Sequence, residues 1–156
     1  MKAINPYLNF DGQTREAMTF YAKNLGAKLE VMSFKEAHVP TPPEAENRTM
    51  HAKLAKGALV IMASDTPPGM ALHKGNNLWV SVDCSDVAEI DKLFKAFSEG
   101  GTVTMPLADQ FWGAKFGMLI DRYGVGWMFN AYLPKPKAKA KPKVKAKPKA
   151  KAKKRS

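Results

Sequence analysis

The feature that most constrains this chain is an order of elements that occurs twice. Residues 4–10 read as a strand ended by Asp11-Gly12. Residues 13–25 read as a helix, because Ala17, Met18, Phe20, Tyr21 and Leu25 fall at helical spacing and Gly26 can stop it. Residues 28–34 alternate as a strand, and residues 50–56 and 59–63 pair across Lys56-Gly57-Ala58. The series then restarts. Residues 77–82 form a strand, and residues 87–98 form a helix with Ile90, Leu93, Phe94 and Phe97 on one face and Ser85 or Asp86 available as N-cap. Gly100-Gly101 stops that helix, residues 102–105 are a strand, and residues 112–120 and 125–132 pair across Asp121-Arg122-Tyr123-Gly124. Each half is strand, helix, three strands, matched in order and size rather than in residue identity.

A βαβββ unit carries its helix on one sheet face and leaves the other in need of cover. Two such units side by side can curve around a shared concavity lined from both halves. The expected fold is therefore α+β: two βαβββ modules, about residues 3–65 and 75–133, forming a curved mixed sheet around a cavity. They make up a domain of residues 1–134, followed by a tail of residues 135–156.

Charge separates those two parts. The tail holds 12 basic side chains and no acid, against 13 basic and 14 acidic side chains before it, so +12 of the net +11 lies in the tail and −1 in the rest. No apolar run approaches the ~20 residues needed to span a bilayer, so no membrane association is expected. The opening MKAINPYLNFDG lacks the apolar middle of a secretory signal. The single cysteine, Cys84, can form neither an intramolecular disulfide nor a multi-Cys zinc site and reads as a small residue at a strand end. These features give the expectation of a cytoplasmic protein.

Four stretches, NPYLNFDG, FYAKNLGAKLE, LVIMASD and FWGAKFGMLIDRYGVGWMFN, resemble the PhnB-like branch of the vicinal oxygen chelate superfamily, which holds glyoxalase I, bleomycin-resistance proteins and extradiol dioxygenases. The last stretch is the most specific. Homologues of the branch have carried the label of a demethylubiquinone methyltransferase. This sequence gives it no support, since no Gly-rich turn after a strand opens a nucleotide-binding βαβ unit. The resemblance implies a homodimer and, in the superfamily's enzymes, a divalent metal held by two positions per half. Those positions fall here on Asn5, at or near His51, on Asn77 and near Met128. One imidazole, two amides and a thioether are a poor set for Zn²⁺, Ni²⁺ or Mn²⁺. No tightly bound metal or other cofactor is expected, although a metal-dependent site stays open as an alternative.

His51 is the candidate for general acid/base work or for hydrogen bonding to a substrate, against the plainer reading of an exposed strand histidine. Asn5 and Asn77 either contact a ligand or cap their own strand ends. Tyr7, Trp79, Trp112, Phe116 and Met128 are candidate pocket walls, with burial as their ordinary role. His38 and His73 sit in loops and read as solvent-facing, and the long loop over residues 36–48 reads either as a lid or as an unstructured connection.

In the tail, Lys135, Lys137, Lys139, Lys141, Lys143, Lys145, Lys147, Lys149, Lys151, Lys153, Lys154 and Arg155 alternate almost throughout with Ala, Pro or Val. Charge repulsion and repeated Pro give the expectation of disorder, and the composition is similar to that of linker-histone tails. Such a segment neutralises phosphates without reading bases, so DNA or another polyanion is its expected partner, with a mere solubilising role as the alternative. Three functions follow from the sequence. The chain is a small-molecule binding protein, a lyase, isomerase or dioxygenase using His51 with or without a metal, or a nucleic-acid-associated protein acting through its tail.

Overall fold

The computed structural model describes residues 3–134. The basic tail, its expected disorder and its twelve cationic candidates lie outside the described residues. In chain order the elements are β1 (Tyr7–Phe10), α1 (Thr14–Leu25), β2 (Lys28–Ser33), β3 (Thr49–Lys56), β4 (Leu59–Asp65), β5 (Val80–Asp83), α2 (Val87–Ser98), β6 (Thr102–Asp109), β7 (Ala114–Ile120) and β8 (Gly126–Tyr132). They build two four-stranded mixed sheets ordered β1-β4-β3-β2 and β5-β8-β7-β6. In each, the first strand runs parallel to the last and the remaining pairs are antiparallel. The duplicated α+β plan is thus present as two separate sheets, one per module.

Both helices cover the same side of their sheets, and one continuous core lies beneath them. Leu8 and Phe10 of β1, Met18 and Tyr21 of α1, Leu54 of β3, Phe97 of α2, and Trp127 and Phe129 of β8 all belong to it. The modules meet there through aromatic rings: Tyr21 stacks on Phe97 with centroids 5.8 Å apart and meets Trp127 edge-on at 5.0 Å. Strand alternation sends the intervening residues to the opposite, open faces.

Local chemistry accounts for the element ends. Gly26 ends α1 in the left-handed conformation, φ 64°. Asp86 caps α2 by accepting from the Glu89 N–H at 2.8 Å, while Glu89 accepts from the Ser85 N–H at 2.6 Å, a reciprocal capping box.

Several boundaries differ from the sequence reading. β1 starts at Tyr7, not residue 4, and β5 at Val80, not residue 77, so Asn5, Asn77 and Trp79 precede their strands. Pro6 has no N–H to give a ladder. β6 runs on to Asp109 through Pro106, which an edge strand with two register irregularities tolerates. Phe111 and Trp112 form a turn ahead of β7. The loop over residues 36–48 is tied at its base, where the Phe34 and Lys35 N–H groups donate to the Arg48 and Glu46 carbonyls at 3.1 and 3.0 Å. A 3-10 turn, Pro43–Ala45, buries Ala45 in its middle.

Candidate functional site

A bulge precedes His51 on β3. Ser33 pairs with Thr49 and Met32 with His51, so Met50 is an extra residue on β3. Plain alternation back from buried Ala52 would turn Met50 inward and Thr49 outward. The bulge buries Thr49 instead, where its N–H donates to Asp65 Oδ2 at 2.7 Å, while His51, next to buried Ala52, takes the open face by alternation.

There His51 meets Tyr7. The Tyr7 hydroxyl lies 3.3 Å from His51 Nδ1, across β4. The hydroxyl donates to Nδ1 or accepts from it according to which ring nitrogen carries the proton. A cavity of about 250 Å³ is lined by Glu30, Val31, Met32, His51 and Lys53. Cross-strand pairing assembles it: Met32 faces His51, Glu30 faces Lys53, and Lys53 faces Met62, which in turn pairs with Tyr7. Lys28 holds Glu30 at 2.9 Å, which keeps the Glu30 carboxyl below its ordinary range.

The open face of the second sheet has a different character. Met118 faces both Met105 and Met128, and Phe116 faces Asn130. Trp112 packs edge-on against Phe116 with centroids 5.7 Å apart. Trp79 lies over Gly126, where a Cβ would meet its indole carbons at 2.8 Å, and its Nε1–H donates to the Asn76 carbonyl at 3.2 Å.

Two further cavities open along the seam between the modules. One, about 290 Å³, is lined by Tyr7, Asn9, His73, Lys74, Asn77 and Gly126 among others. The other, about 250 Å³, includes Asn5, Leu25, Val60, Ser81 and Trp127. The structure therefore brings Tyr7 to His51, Tyr7 and Asn77 to one seam cavity, and Trp112 to Phe116, and it sets Asn5 in another cavity. His73 is exposed, as read from the sequence, and also lines the rim of the Tyr7 cavity. Glu30, Met32 and Lys53 were not singled out from the sequence. The signal for Lys53 was its parity with His51, whereas Glu30 and Met32 need the β2–β3 register.

The four positions that the resemblance offers to a metal do not form a ligand set. Asn5, Asn77 and His51 line three different cavities, and Met128 lies between Met118 and Ser81. Among the described residues no three His, Cys, Asp or Glu side chains come together in a way that could hold an ion. The residues present do not fit a divalent metal at that place. Cys84 is buried, and burial, helped by Glu89, Asp83 and Asp86, pushes its thiol up to about 11, which leaves it un-ionised near neutral pH.

A family model described as 3-demethylubiquinone-9 3-methyltransferase matches residues 2–129. The chain belongs to that family. Among solved structures, protein PA1353 from Pseudomonas aeruginosa is 40% identical with a TM-score of 0.78, over 86% of this chain and 100% of the other. A Bacillus cereus protein described as a putative 3-demethylubiquinone-9 3-methyltransferase, PhnB protein, is 26% identical with a TM-score of 0.71, over 83% and 99%. The wider fold is that of a glyoxalase/bleomycin resistance protein/dioxygenase family enzyme from Burkholderia phytofirmans, at 16% identity and a TM-score of 0.59 over 84% and 100%. Family membership and the glyoxalase-like fold are thus established together. Among the described residues no helix is long and apolar enough to cross a membrane.

Proposed function

We propose that this PhnB-like chain binds a small organic molecule between its modules. The Tyr7–His51 pair meets the polar end of the ligand, and Phe116, Met118, Met128 and Trp112 supply its apolar wall. The observation that carries the reading is the 3.3 Å contact between Tyr7 and His51 at the edge of a cavity. A buried aromatic core on one side of each sheet needs no such pair on the other. The methyltransferase label of the family does not guide the reading, because β1 enters α1 through Asp11-Gly12-Gln13 rather than a Gly-rich phosphate-binding turn. Where the ligand has a proton to exchange, His51 is the group positioned to handle it.

The functional unit in this reading is a cytoplasmic homodimer, supported by the exposed apolar side chains of the open faces, among them Met32, Met105 and Trp112. Native mass spectrometry and elemental composition of protein purified without added metal test the proposal. A retained organic mass that His51→Ala releases supports it, whereas a stoichiometric divalent metal establishes the metal-dependent lyase, isomerase or dioxygenase alternative. Light scattering should give twice 17.2 kDa.

A second reading concerns the tail alone. Its +12 against −1 for the rest of the chain supports binding to nucleic-acid phosphates without base recognition. DNA mobility shifts at several salt concentrations, comparing the full chain with one ending at Pro134, should show salt-sensitive binding by the full chain only. Equal binding by both removes the tail from that role.

A further inference from the structure

We propose that the ligand is an amphipathic organic anion whose single negatively charged oxyanion group enters the His51 cavity. The inference rests on the small-molecule reading above and adds the ligand's chemical class. Three charged side chains meet on this part of the open face. Glu30 is neutralised locally by Lys28, at 2.9 Å, and Lys53 has no ion pair among the described residues. Lys28, Glu30 and Lys53 therefore sum to one uncompensated positive charge beside the cavity. The other polar groups there are the Tyr7 hydroxyl and the His51 imidazole, and whichever of the two donates in their 3.3 Å contact, one O–H or N–H of the pair is left to meet an acceptor. An ammonium and an O–H or N–H donor suit an oxyanion, while the one carboxylate that lines the cavity, Glu30, is already held by Lys28.

Size limits what enters. A cavity of about 250 Å³ lies below the ~300–1,000 Å³ of sites that enclose a whole drug-sized ligand, so it takes one end of the molecule. The rest must lie on apolar surface, and the second module supplies it. Its open face presents Phe116, Met118, Met128, Met105 and Trp112, side chains that adapt to flat hydrophobic bodies. Asp83 stands at the end of that face and accepts from the Asn130 amide at 3.1 Å. The duplicated modules have thus diverged into a positively charged polar end and an apolar end.

Two fluorescent probes of matched apolar body test this on the full-length protein: anilinonaphthalene sulfonate, an anion, and N-phenyl-1-naphthylamine, its neutral relative. The sulfonate should bind the wild type about tenfold more tightly than the amine, and Lys53→Met should remove most of that advantage, about five- to tenfold, while leaving the amine unchanged. Lys23→Met, an exposed charge on α1, controls for general attraction to a basic chain and should change neither. Tyr7→Phe should weaken the sulfonate alone. Competition by naphthoate, naphthalene sulfonate and naphthyl phosphate then ranks the oxyanions. Equal binding of both probes, or equal effects of Lys53→Met and Lys23→Met, overturns the anion assignment. If neither probe binds, or if Phe116→Ala leaves both unchanged, the small-molecule reading falls with it.

Discussion

The Tyr21 hydroxyl on α1 donates a 2.6 Å hydrogen bond to Asp121 Oδ2, one hundred residues away in the other module. Trp127 Nε1–H donates to the same oxygen at 2.8 Å, and the N–H groups of Tyr123 and Val125 donate to Oδ1 at 2.9 Å each. Asp121 is only 4% exposed, so four donors replace its hydration. A buried carboxylate is tolerable on those terms and expensive without them.

Tyr21→Phe removes the one of these four donors that comes from the first module. It should cost about 1–3 kcal/mol, read as a lower urea midpoint with an unchanged slope. Asp121→Ala should cost more, because it orphans buried donors in both modules. A Tyr21→Phe midpoint equal to wild type would mean that this hydrogen bond adds nothing to the ring contacts and the Tyr123–Glu16 hydrogen bond between the modules.

Asp65 plays a comparable part inside the first module. It accepts from the Thr14 N–H at 3.0 Å, the Thr14 hydroxyl at 2.7 Å and the Thr49 N–H at 2.7 Å, tying the start of α1 to the β3 bulge. Asp65→Ala should lower stability by about 3 kcal/mol, since it leaves two backbone N–H groups without partners. It should also weaken probe binding at His51, because the start of β3, two residues from the imidazole, loses its anchor. Asp65→Asn, which keeps an acceptor oxygen, should do less of both.

Alkaline pH should unfold the protein. Burial first, then Asp121, raises the Tyr21 hydroxyl far above the ordinary 10.0, and burial with Glu16 pushes Tyr123 up to about 12. Cys84 moves the same way, from 9.0 to about 11. A raised value means that the folded chain keeps a proton the unfolded chain releases. The stability these groups confer is complete below about pH 9 and is lost progressively from there towards pH 12. Denaturant midpoints at unit pH steps from 8 to 11 should fall, and Tyr21→Phe should flatten the slope. A level profile would contradict these proton affinities.

Gly126→Ala places a methyl carbon 2.8–3.1 Å from the indole of Trp79. Displacing that ring should cost about 1–3 kcal/mol and shift tryptophan emission. Because the clash is with one side chain, Trp79→Ala in the same chain should remove most of the penalty, giving a clear coupling in the double-mutant cycle.

Much of the fold was legible in the chain. The helices and turns follow from spacing: Ile90, Leu93, Phe94 and Phe97 mark α2, Asp86 starts it, and Gly26 stops α1. Errors gathered where backbone pairing overrides local preference. Pro106 reads as the end of a strand, yet β6 passes through it because an edge strand does not need every N–H. The strand of His51 reads as starting at Met50, yet β3 begins at Thr49, where a bulge brings the Thr49 N–H to the buried Asp65.

The duplicated order, the near-neutral charge of the domain and the excess charge of the tail are properties of composition and period, so the residues alone determine them. Which strand lies beside which is not. That Tyr7 meets His51, that Glu30 stands opposite Lys53, and that Asn5 and Asn77 line different cavities depend on strand pairing between residues tens of positions apart. A one-residue change of register would turn each side chain to the other face, and only the packed core selects the register.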